Sequence, residues 1–206
     1  MLVRVTDEER PQLRKKPATY QDVIDAPEHM VAEILDGELF LSPRPAPRHA
    51  RATGRLASIL DSAFDEGLTG PGGWLILGEP ELHIGPDVVV PDVAGWKREH
   101  MPRLPKEAFF AKAPDWVCET LSPSTARIDR LKKLRIYARE SVGWVWLVDP
   151  RARTLEVYRL DGSQLTLANV YGEDEVDRVQ VPPFDAIEFQ LSRLWRDVEI
   201  TANGQP

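Results

Sequence analysis

Residues 115–125, "DWVCETLSPST", set an apolar, strand-like run around one carboxylate, Glu119, ahead of a Pro-punctuated turn and a basic helical pattern. A carboxylate at the rim of a core is expensive unless a cation or hydrogen-bond donors meet it. The fold reading therefore turns on what converges on Glu119. Immediately downstream, "STARIDRLKKLRIYARES" (124–141) reads as a long helix entered through "SPST" and stopped at Gly143. Strands follow at "GWVWLVDP" (143–150), "TLEVYRL" (154–160) and "QLTLANVY" (164–171), the first two linked by a turn at Asp149-Pro150.

Working upstream, "GGWLILGEPELHIG" (72–85) and "DVVVPDVAGW" (87–96) are expected to be two strands joined at Gly85-Pro86. "EHMPRLPKEAFFAKAP" (99–114) reads as a loop with room for one helical turn. "APRHARATGRLASILDSAFDEG" (46–67) carries Leu56, Ile59, Leu60 and Phe64 at helical spacing and a Gly67 stop. "MVAEILDGELFLSP" (30–43) is a hairpin about Asp36-Gly37, and "TYQDVIDAPEH" (19–29) is a short helix capped by Thr19. A last helical turn is expected at "LSRLWRDV" (191–198). This order indicates an α/β (α+β mixed) chain, a mixed β-sheet flanked by helices. Residues 1–17 and 201–206 read as tails around a single domain over 18–200.

Composition narrows the classes. The 206 residues carry a net charge of −7, which argues against a generally basic nucleic-acid binder but leaves room for a local patch. The single cysteine, Cys118, excludes an internal disulfide framework and a Cys-rich zinc site; alternating with Glu119, it is expected in the core. No apolar run approaches the roughly 18 residues needed to span a membrane, so a cytoplasmic protein is expected.

Three Pro-Asp dipeptides occur, and only the one at Asp92 interrupts a β-rich run, where both residue types are disfavoured. Asp87 and Asp115 fall at ordinary turn and strand-start positions. If the strands of Asp92 and Glu119 are neighbours, two carboxylates meet at one sheet end. Such oxygen-rich sites suit Mg²⁺ or Mn²⁺. Each acid alone also fits a rim salt bridge. In the helix, Leu131, Leu134 and Ala138 cluster on one side, and Lys133 falls elsewhere, beside Asp129, Ile136 and Tyr137, as a half-buried lysine. An Asp129–Lys133 surface pair is the plain reading; a lysine reaching the carboxylates is the functional one.

"PDVAGW", "CETLSPST", "DRLKKLRIYA" and "WVWLVDP", with "AEILDGELFLSPRPAPRH" before them, resemble the Uma-two family of restriction-endonuclease-like proteins. That family lies in the PD-(D/E)XK nuclease superfamily, and the resemblance spans roughly residues 19 to 160. It implies a restriction-endonuclease-like core and a Mg²⁺- or Mn²⁺-dependent endonuclease acting on DNA. Asp92 and Glu119 resemble the metal-binding acids, Glu33 completes the site, and the Thr120 carbonyl adds a ligand. The superfamily lysine two places after the second acid is replaced by Leu121, and its role moves to Lys133, with Lys132 as the alternative. Glu81 is a weaker acidic candidate.

Arg44, Arg48, Arg51 and Arg55 form a basic cluster that, with Arg127 and Arg130, is expected to flank a DNA groove. His49 is expected to serve as a polar helix-start residue and His83 as a surface or packed imidazole. Trp144 and Trp146, on one side of a strand, are expected in the core or a dimer face, and a homodimer is expected because two cuts on a duplex need two sites. Two other readings stay open. A nuclease-fold module without catalysis would bind DNA or protein with no metal-dependent turnover, and a metal hydrolase of another phosphoester would spare DNA.

Overall fold

The computed structural model describes residues 16–196, so the expected tails fall outside the described residues apart from Lys16 and Pro17. Helix α1 (Tyr20–Ile24) starts at Thr19, whose N–H donates to the Asp22 carboxylate at 2.7 Å. Strands β1 (Met30–Leu35) and β2 (Glu38–Pro43) form the expected hairpin. Its turn places Asp36 at φ 53° and Gly37 at φ 78°, the left-handed pair that an Asp-Gly turn matched to strand twist requires. Helix α2 (Pro47–Leu60) has proline in its first turn, where the missing N–H is harmless, and runs on into a wider π-helical turn, Asp61–Asp65.

The two expected strands at 72–85 and 87–96 are four. β3 (Trp74–Gly78) and β4 (Leu82–Ile84) part at Pro80, and β5 (Asp87–Val89) and β6 (Val93–Lys97) part at Pro91. Proline cannot donate to a ladder, so both runs break where it falls. β4 and β5 remain a hairpin but join the first hairpin in a four-stranded sheet, β2-β1-β5-β4. β3 and β6 belong to a six-stranded sheet, β10-β9-β8-β7-β6-β3. Between β3 and β6 the chain thus crosses between sheets twice, and these crossings are tied by the Glu79 N–H donating to the Asp92 carbonyl at 3.0 Å. The 99–114 segment contains no helical turn; Phe110 bridges to Leu82 instead.

β7 (Trp116–Thr120) pairs parallel with β8 (Trp144–Asp149). The crossover is the second long helix, made of α3 (Ala126–Ile128), a π-helical turn (Asp129–Lys133) and α4 (Leu134–Arg139). β9 (Thr154–Asp161) and β10 (Gln164–Gly172) complete the sheet as a hairpin. β11 (Arg178–Val179), β12 (Phe189–Gln190) and α5 (Ser192–Trp195) close the described chain. The expected mixed sheet flanked by helices is what forms.

Strand alternation sorts the core. Trp116, Cys118 and Trp146 meet Leu56 and Leu60 of α2 and Phe64 of the π-helical turn after it on one face of the large sheet. Val117, Val145 and Leu147 meet Ile136 and Tyr137 of α4, and Leu35, Leu82 and Val89 of the small sheet, on the other. Each such fully buried large apolar side chain contributes about 1.5–3 kcal/mol. Gly95 lies where this packing is tightest, since a Cβ there would stand 3.0 Å from Ile76 and 3.2 Å from Trp116. The second helix buries the side on which the sequence placed Lys133, and buries it more fully than the half-buried position expected. Lys133 is 5% exposed and packs inward with Asp129, Ile136 and Tyr137, while Leu131 is 45% exposed. Among the described residues no helix is long and apolar enough to cross a membrane.

Candidate active site

Glu33, Asp92, Glu119 and Asp129 line one cavity of about 190 Å³ at the end of β7, where the two sheets and the second helix meet. Each acid arrives by a different route. Glu33 sits on β1 and alternates inward; Asp92 is held at the sheet-to-sheet crossing; Glu119 is the inward residue before the last of β7. Asp129 opens the π-helical turn. Such turns insert one residue into a helix and re-aim its side chains, often at functional sites. Here Asp129, Lys133 and Tyr137 all face the acids.

Lys133 is the hub. Its Nζ lies 2.9 Å from Glu33 Oε1, 3.2 Å from Glu119 Oε1 and 3.8 Å from Asp129 Oδ1, and donates to the Val90 carbonyl at 3.4 Å. Lys132 points elsewhere, 3.1 Å from Glu38 Oε2 and over the Phe40 ring. The geometry therefore separates the two lysines that the sequence left as alternatives. Glu33 also accepts the Val90 N–H at 2.8 Å, and Glu119 accepts the Tyr137 hydroxyl. Asp92 accepts the Thr120 N–H at 2.6 Å, which fastens the crossing to the tip of β7.

These contacts leave a buried excess of acid. Burial pushes the Glu119 carboxyl well above its ordinary range; the Lys133 ammonium pulls it back, and Asp129, Asp92 and Glu33 add to the rise. Burial raises Asp129 to about 6, against the same pull from Lys133. Burial works against the Lys133 ammonium, but Glu119, Glu33 and Asp129 outweigh it and hold its pKa well above the ordinary value. One ammonium faces three buried carboxylates and the half-buried Asp92, so additional positive charge is electrostatically favoured there.

Sequence reasoning missed His49, Tyr137 and the inward aim of Asp129. His49 Nε2 lies 3.2 Å from Asp92 Oδ2, and the residue is 7% exposed. Burial opposes its protonation, but Asp92, the Thr120 carbonyl and Asp129 raise its pKa above the usual histidine value. Its Nδ1 is buried without a hydrogen-bond partner among the described residues. The signal was present: His49, Ala52, Leu56 and Leu60 form the buried stripe of α2, so the imidazole continues an apolar face inward. Glu81 is turned away, accepting the Tyr20 hydroxyl and pairing with His83 at 2.7 Å, and it is Glu79 that lines the cavity.

The arginines divide. Arg44 lines the cavity and donates to the Glu28 carbonyl; Arg48 and Arg51 are exposed on α2, and Arg127 on α3. Arg130 is instead committed to β9, forking onto Glu156 at 2.6 and 2.7 Å. Among the described residues, no group of three or more His, Cys, Asp or Glu side chains is placed to hold a metal ion. The Lys133 ammonium, 2.9 Å from Glu33 and 3.2 Å from Glu119, already engages two of the acids. Mg²⁺ commonly takes only one or two protein carboxylates and keeps several waters, so the oxygen donors of Asp92 and Glu119 fit it without a third.

The family model described as "Uma2: Putative restriction endonuclease" matches residues 17–193. The crystal structure of a "putative nuclease belonging to DUF820" from Anabaena variabilis is similar, with a TM-score of 0.71 and 24% identity, over 87% of this chain and 98% of that one. At that identity the likeness shows a shared fold. No curated protein matches the chain. With the matched residues spanning both sheets, the crossover helix and every acid of the cavity, the chain belongs to the Uma2 family.

Proposed function

We propose that the chain is a metal-dependent endonuclease that hydrolyses DNA phosphodiester bonds. The observation that carries this is the buried Lys133 ammonium held between Glu33 and Glu119, two acids that line the same cavity as Asp92. Asp92 and Glu119, with the Thr120 carbonyl, would hold Mg²⁺ or Mn²⁺. Such an ion supplies charge neutralisation and an acidified water. Glu33 and Asp129 fix the Lys133 chain so that its ammonium stands against the acids that line the cavity. There Lys133 orients an attacking water and offsets charge developing on the phosphate, an effect that can be worth several kcal/mol when the donor is already in place. Tyr137 keeps the Glu119 carboxylate oriented. Arg44, Arg48, Arg51 and Arg127 would meet backbone phosphates beside the cavity, giving an affinity that falls steeply with salt.

Incubation of supercoiled plasmid with the purified chain in Mg²⁺, Mn²⁺ or EDTA tests this. Nicked and linear products bearing 5′-phosphates, absent in EDTA, are expected. Turnover of a small phosphodiester with plasmid left intact would move the substrate away from DNA. Loss of metal dependence would overturn the role given to Asp92 and Glu119.

A further inference from the structure

β10 is an edge strand of nine residues, paired on one side only. The run 162–172, "GSQLTLANVYG", contains no charged residue. Edges of soluble proteins are usually blunted by charges or proline, because open backbone groups recruit another strand. This edge has neither, and it adds apolar surface, with Leu167 54% and Val170 46% exposed. The outward side of the second helix continues the patch through Leu131, and Leu134 and Leu165 floor a groove of about 580 Å³ between α4 and the start of β10.

Charge identifies the occupant. Arg135 is exposed on the wall of that groove, beside Gln164 at the start of β10. Exposed Asp174 and Glu175 lie just beyond its end. When two copies of the strand pair antiparallel about a two-fold axis, the end of one lies beside the start of the other. Asp174 and Glu175 of each copy then reach Arg135 of its partner, twice over. The bulge at Ala168 divides the strand into two halves, Gln164–Leu167 and Asn169–Gly172, and each half pairs with the opposite half of the second copy. We infer that β10 is the interface of a homodimer in which two large sheets join edge to edge, closed at both ends by Arg135 against Asp174 and Glu175. An isologous contact of this kind is self-complementary and closes at two copies. It does not depend on the nuclease reading.

Sedimentation velocity of the full chain over a concentration series tests it. The wild type is expected to dimerise. Leu167→Lys, at an exposed position that leaves the core untouched, is expected to yield monomer with an unchanged unfolding curve. Arg135→Glu, or Asp174→Arg with Glu175→Arg, should each weaken dimerisation by about tenfold, because symmetry doubles every surface pair. Combining the reversals should restore it. A wild type that stays monomeric, or a dimer indifferent to Leu167→Lys, would overturn the interface. Loss without rescue in the combined variant would overturn its antiparallel register.

Discussion

Replacing Lys133 by methionine preserves the length and packing of the side chain while removing its charge. In the wild type, Nζ is 2.9 Å from Glu33 and 3.2 Å from Glu119, with all three side chains buried. At an effective dielectric of about 20, each contact is worth roughly 5 kcal/mol before dehydration is counted. Burying the ammonium returns several kcal/mol of that gain, and removing one partner of a buried pair typically costs about 3–5 kcal/mol, because the remaining charges are stranded. We therefore expect Lys133→Met to lose about 4 kcal/mol at pH 7.5. In urea, with a slope of about 2 kcal/mol/M, the unfolding midpoint would fall by about 2 M. Two rescues follow from the same geometry. Adding Glu33→Gln removes one stranded carboxylate, and lowering the pH to 5 protonates the acids whose pKa values burial already raises. A loss below about 1 kcal/mol, or a loss that neither rescue diminishes, would refute the account of Lys133 as the charge that holds the acids together.

Asp129 gives a pH dependence with a definite sign. Its folded pKa of about 6 lies above the unfolded value near 3.8, so the unfolded chain binds fewer protons between those values, and stability falls as pH rises from about 4 to 6. Asp129→Asn should flatten that limb in urea titrations at stepped pH; an unchanged limb would contradict the placement of Asp129. Tyr137→Phe deletes the hydroxyl donated to the buried Glu119 carboxylate and should cost about 1–3 kcal/mol in chemical denaturation, whereas a neutral outcome would mean the bond is not formed. Gly95→Ala should lose about 1–3 kcal/mol by overpacking, since its Cβ would press on Ile76, Trp116 and Trp74; calorimetry showing no drop in Tm would contradict the tight packing there.

How much of this was legible in the sequence depended on the kind of signal. The Asp36-Gly37 hairpin, α2 and the β7–helix–β8 crossover were readable because turn chemistry and periodicity act locally. The split of 72–96 into four strands serving two sheets was not, although Pro80 and Pro91 marked both breaks. Which sheet a short strand joins depends on partners distant in the chain. Glu33, Asp92, Glu119 and Lys133 came from a resemblance to a family together with disfavoured residues in strands. That the three acids line one cavity, with Lys133 against Glu33 and Glu119, is a tertiary fact. Lys133 read as half-buried beside Asp129, Ile136 and Tyr137, the side the structure buries; its full burial and the exposure of Leu131 were not legible, because a π-helical turn re-aims the helix in a way that regular periodicity does not encode. His49 was set aside as a helix-start residue even though it stands on the buried stripe of its helix.

The most direct test of the proposed active site is single-turnover cleavage of plasmid in Mg²⁺ by the wild type and by Asp92→Asn, a near-isosteric change at a half-buried position. The account predicts metal-dependent cleavage by the wild type and a loss of at least about a hundredfold in the variant, at unchanged fold and DNA affinity. Equal rates for the two proteins would contradict it and leave the buried acids as a structural cluster around Lys133.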